Sequence, residues 1–294
     1  MDWLQLVCNA VVAGSVYLLL GIGFALTYNV CKFFNFAHGI IFTTGAYLAF
    51  TFHVWAGLPL FVTLVLAIAA TTIVGCLAEL VFYRPLRGRG ASPLIFLLAS
   101  LGIYVLLQNA ISMVFGNDTK QLRSVEIHEG INVLGGRITG VQLVTILITI
   151  ALMTAVALLL RKTKLGRAVR AVADDPQLAS VSGIESNRTI LWTFALSSAV
   201  AGVAGILVAL DVNMTPTMGM NPLMLGVVAV IIGGARSISG IALAALLLAV
   251  TQHMTVWIFG SAWQDGVAFF VLLAFLMFRP HGFGRVQVRK ATVK

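Results

Sequence analysis

Residues 161–188 read RKTKLGRAVRAVADDPQLASVSGIESNR, the longest clearly polar, basic stretch in a chain otherwise built of apolar blocks. Hydrophobic runs flank it on both sides, so it has to lie outside a hydrocarbon layer. Its punctuation predicts two short helices. Within 166–173, Ala168, Val169, Ala171 and Val172 form an apolar strip beside Arg167 and Arg170. Asp175 then reads as an N-cap, with Pro176 at the first helical position and Gly183 as a left-handed stop. A solvated linker needs no such caps, whereas a docking element whose shape a partner reads does.

Composition places the rest of the chain in a membrane. Of 294 residues, 60% are hydrophobic and 10% charged, where soluble domains carry about a quarter charged residues. The expected fold class is all-α, a polytopic integral membrane helical bundle forming one transmembrane domain over 1–294. The opening MDWLQLV has no basic n-region, so the first apolar run is expected to stay as a membrane segment. Cys8, Cys31 and Cys76 lie in or beside apolar runs without paired spacing and read as small core residues.

Apolar segments fall at 6–28, 39–55, 58–83, 92–115, 140–161, 189–211, 222–235, 239–258 and 265–279, giving eight or nine transmembrane segments. Two are short. As a helix, 222–235 rises about 21 Å against a hydrocarbon core of about 30 Å, and 39–55 is marginal. Short, Gly-interrupted segments in both halves point to broken or re-entrant helices lining a cavity, with a tilted full span as the alternative. Every Lys and Arg except Lys120, Arg123 and Arg137 falls on one side of this arrangement. By the positive-inside rule that side is cytoplasmic, with the N-terminus outside and the tail, 280–294, inside. Charge that tracks sidedness over several loops does not form a nucleic-acid interface.

The loop 116–139 is the one external segment of any size, and Val125, Ile127, Ile131 and Val133 alternate as in a small hairpin or an interfacial helix. It is a place for a soluble partner to touch. His128 between Glu126 and Glu129 is more simply solvated than metal-binding. Inside the membrane, no Asp, Glu, Lys or Arg lies near a predicted midplane; Glu79 and Asp211 sit towards segment ends. Coupling through intramembrane carboxylates is therefore absent. The phosphate-loop, H-E-x-x-H and G-x-S-x-G patterns are absent too. No catalytic residue, cofactor or metal is implied. A membrane-embedded enzyme would need a polar cluster, and its nearest candidate, His38 with Asn35, has no carboxylate beside it.

Other residues read as packing and pathway. Ser198/Gly202 and Ala201/Gly205 are small-xxx-small pairs that let helices approach closely. Ser100, Thr43, Thr44, Gln108 and Asn109 bond either a polar solute or a neighbouring helix. Residues 33–39, FFNFAHG, form an aromatic-rich re-entry in which Asn35 caps a helix with His38 in its first turn. The candidate pathway set is Asn35, Phe36, His38, Gly39, Thr43, Thr44 and Gln108.

Five pieces occur in order: NFAHG at 35–39 with GAY at 45–47; Glu79, then YRPLRGR at 83–89 and SPL at 92–94; GRAVRAVADD at 166–175, running on to Ala179, Gly183 and Ile184; FALS at 194–197 with Ala201, Gly202, Ala204 and Gly205; and FRPHGFG at 278–284. Together they resemble the shorter type of permease subunit of ABC importers for branched-chain amino acids, over about 14–284. The resemblance implies a bacterial inner-membrane machine. It would include a second homologous permease, two cytoplasmic ATPase subunits and an extracytoplasmic solute-binding protein. It also implies that Gly166, Arg167, Arg170, Ala173, Asp174, Asp175, Gly183 and Ile184 carry the ATPase-coupling contact. The chain departs from that pattern at Asn29 after Tyr28 and at Ile40–Ile41. It departs again at Arg236, where Gly is usual, and at Ser239, where Pro is usual. Leucine, isoleucine and valine are the default solutes, with aromatic acids, amides and urea open. The alternative function is a stand-alone secondary transporter or channel for small polar solutes.

Overall fold

The computed structural model describes residues 3–122, 130–133 and 136–279. Val125, Ile127 and the His128 group, and the sequence from 280 onwards, lie outside the described residues.

Helix α1 (Trp3–Cys31) is apolar on every face, which only a helix surrounded by others can use. It is the axis of the bundle, 83% buried along its most apolar window, with α9 (Ser186–Asp211) next at 67%. Around them stand α3 (Leu60–Ala78), which runs on through a π turn (Glu79–Tyr83) into α4 (Arg84–Gly88), and α5 (Pro93–Phe115). The ring is completed by α6 (Gly140–Lys162), α11 (Ile238–Phe259) and, after a 3₁₀ turn (Ser261–Trp263), α12 (Gln264–Phe278). The last stretch is only 6% buried, so its apolar side chains face outward from the bundle. Seven helices among the described residues are long and apolar enough to cross a membrane.

Two further helices are shorter: α2 (Ala37–Phe50), 14 residues that a π turn (Thr51–Trp55) extends by five to about the length that crosses, and α10 (Met220–Gly233), whose 14 residues fall short on their own. Irregular chain precedes each. In 32–36 the Phe36 N–H bonds Ser100 Oγ at 3.1 Å, and Asn35 Oδ1 accepts the Tyr83 hydroxyl at 2.9 Å. In 212–219 the backbones of Lys120 and Met214 pair in both directions, at 3.0 and 2.9 Å, and Met214 is fully buried. Non-helical backbone at membrane depth needs such internal partners, because no water is there to supply them.

Local chemistry fixes the ends. Thr139 and Gln142 form a capping box for α6, and Ser237 caps α11. Gly234, at φ +83°, stops α10 in a conformation a β-carbon would oppose. The expected hairpin region yields two short strands, β1 (Ile131–Val133) and β2 (Gly136–Ile138), antiparallel with Ile131 opposite Ile138.

Candidate functional site

Contacts divide the bundle into two ends. At one, Gln5 bonds the Arg137 backbone, Gln142 lies 3.4 Å from Asp211, Asn221 donates to Asp265 at 2.9 Å, and Trp3 packs on Trp257. At the other are the residues the sequence singled out for docking.

There α7 (Lys164–Asp174) follows α6 after a single residue, Thr163, whose hydroxyl accepts the Gly166 N–H at 3.0 Å. Gly166 lies so close to the Leu159 and Leu160 carbonyls that a β-carbon would collide with backbone. Val169, Val172 and Ala173 are buried against the bundle while Arg167 and Arg170 face out. The chain then breaks at Asp175, whose Oδ1 accepts from the Gln177 and Leu178 N–H groups at 2.8 and 3.0 Å, opening α8 (Pro176–Val181). Gly183, at φ +81°, ends it; the Ile184 N–H closes onto the Ala179 carbonyl at 3.0 Å. Leu178 and Val181, not singled out from the sequence, are 65% and 85% exposed.

Asp174 Oδ1 pairs with Arg236 Nη2 at 2.7 Å. Asn29 Nδ2 donates to the neighbouring Ala235 carbonyl at 2.7 Å. Glu79 is fully buried and accepts from both Arg87 Nη atoms, at 2.9 and 3.1 Å, while Arg87 also reaches Asn187 at 3.4 Å. These partners lie 8 to 206 residues apart in sequence, and their pairing had no sequence signal.

The candidate pathway residues meet in part. His38 is fully buried with Nδ1 3.3 Å from Ser197 Oγ, and the Ser197 hydroxyl donates to the Gly23 carbonyl at 2.8 Å. Gly39 and Thr43 touch Gly219 at the mouth of α10, joining the two broken segments. The expected Asn35 cap does not form. Phe36 takes that position without a side-chain bond, because the Asn35 carbonyl is spent on Tyr83. Thr43 and Thr44 turn back onto the Gly39 and Ile40 carbonyls of their own helix. Gln108, half-buried on α5, is outside these contacts. On α9, Ser198 faces Gly75, Gly202 faces Thr71 and Gly45, and Gly205 lies against the Phe42 carbonyl. Ala201 is fully buried on the same helix.

A family model described as the permease component of the branched-chain amino acid transport system matches residues 6–276. The high-affinity branched-chain amino acid transport system permease protein BraD of Pseudomonas aeruginosa is 34% identical, covering 98% of each chain. The Escherichia coli permease protein LivH is 32% identical over 98% of this chain and 97% of its own. A probable branched-chain amino acid transport permease protein LivH of Methanocaldococcus jannaschii is 29% identical over 96% of this chain and 92% of its own.

Proposed function

This chain belongs to the family of branched-chain amino acid transport system permease components, and from that premise we propose how its parts divide the work of import. It is the translocation component of an ABC importer, and the stand-alone carrier reading is set aside. ATP hydrolysis belongs to partner chains. The proposed assembly is this chain, a second homologous permease, two ATPase subunits at the basic end and a solute-binding protein at the other.

The observation that carries the coupling role is the exposure of Leu178 and Val181 on a capped two-turn helix at the basic end. Lipid covers apolar side chains along the bundle, but α8 follows a charged stretch that excludes it from hydrocarbon. An ATPase surface is the proposed cover. Gly166, Arg167, Arg170, Ala173, Asp174, Asp175, Gly183 and Ile184 shape and orient that hook. The solute path is proposed to run past the Gly39–Gly219 junction, and nine crossings with the N-terminus outside are proposed from the end-to-end pairing of loops. Branched-chain amino acids are the proposed cargo.

The test is reconstitution with both ATPases, the second permease and the binding protein. ATP-dependent leucine uptake is expected, and it should vanish in Leu178→Asp/Val181→Asp while membrane insertion persists. Concentrative uptake by this polypeptide alone from an ion gradient would sink the reading.

A further inference from the structure

Helix α7, the first half of the coupling hook, is fastened at both ends. At its start, α7 is fixed to α6 by the Gly166 contact and the Thr163 cap. At its finish, Asp174 grips Arg236 in the turn between α10 and α11. That turn is stiff. Gly234 stops α10, the Ser237 N–H bonds the Gly234 carbonyl at 2.9 Å, the Ser237 hydroxyl caps α11, and Asn29 holds the Ala235 carbonyl from the last turn of α1. Gly233 and Gly240 bring the α10 and α11 backbones into contact, so the two helices have little room to slide. The far end of α10 is Gly219's contact with Gly39 of α2.

Between α7 and this turn the packing is incomplete. A cavity of about 120 Å³ opens there, walled by Leu26, Leu160, Val169 and Ala173 and bordered by Asn29, Arg170, Asp174 and Arg236. The ion pair bridges the edge of that gap.

We propose that Arg236 is a positioning residue for coupling: through Asp174 it makes the α10–α11 turn follow the hook, delivering the ATPase stroke to α10 and hence to the Gly39–Gly219 junction. This rests on the import reading above. Both side chains are about half exposed, 47% for Arg236 and 65% for Asp174, so the link is weak and reversible, as a joint that cycles has to be.

The experiment measures solute imported per ATP hydrolysed in the full reconstituted assembly. Arg236→Glu and the neutral Arg236→Gln should lower that ratio roughly two- to fivefold, the worth of an exposed pair, with ATP hydrolysis and assembly melting temperature retained. Arg236→Lys should keep it. The exchanged pair Asp174→Lys/Arg236→Glu should regain most of it, which a purely structural arginine or an aspartate needed only by the ATPase would not allow. An unchanged ratio in both Arg236→Glu and Arg236→Gln overturns the proposal, as does an exchanged pair no better than Arg236→Glu alone. A wild-type assembly that imports no branched-chain amino acid fails the import reading itself, before any variant is compared.

Discussion

Glu79 is the residue whose environment is most demanding. It is a fully buried carboxylate matched by both Nη atoms of one guanidinium. Such pairs add little net stability but punish the loss of one partner, by about 3–5 kcal/mol. Arg87→Ala is therefore expected to lower the thermal unfolding midpoint of the detergent-solubilised protein sharply, and Glu79→Gln in that background should recover part of the loss. Gly205 poses a steric demand instead. With the Phe42 carbonyl where a β-carbon would sit, Gly205→Ala has to separate two backbones, a cost of about 1–3 kcal/mol. Gly202→Arg adds a charge at a helix crossing and should cost a few kcal/mol more; normal expression and melting of that variant would contradict the packing assignment. The small-residue spacing on α9 was legible in the sequence. Which partner each small residue meets was not, since Thr71, Gly45 and Phe42 come from helices more than a hundred residues earlier.

At the scale of elements, α8 shows how little sequence is needed to specify a short helix. Asp175 caps it, Pro176 starts it and Gly183 releases it, each by a constraint internal to a few residues. Removing the cap with Asp175→Ala should cost about 1 kcal/mol of local stability, visible as faster amide exchange confined to 176–181. Gly183→Ala places a β-carbon in the left-handed region, at about 1–2 kcal/mol, and should depress coupled uptake more than it depresses melting. Helix α10 makes the opposite case. Its 14-residue length was readable, but the manner of its support was not. The backbone pairing of Met214 with Lys120 joins segments separated by α6 to α9, and no local pattern announces such a partner. The Asn35 cap failed for a related reason. The Asn35 side chain is turned to the hydroxyl of a tyrosine 48 residues away.

For the whole molecule, the proposed nine crossings would put every described lysine and arginine outside 116–139 on one end, the end that carries the hook. Single cysteines in a cysteine-free background test the sidedness. A cysteine at Lys120 should react with an impermeant maleimide added to intact cells, and one at Val181 only after the membrane is opened. The reverse pattern would invert the proposed orientation. Apolar runs, the sorting of basic residues and the capped hook were set by composition and by spacing within a few residues, because lipid and local backbone chemistry act on each segment independently. Tertiary structure alone decided that Asp174 meets Arg236, that Glu79 is buried against Arg87, and that Gly39 lies on Gly219. Those are meetings between segments far apart in the chain, selected by how helices of fixed length pack together, and packing is a property of the assembled bundle.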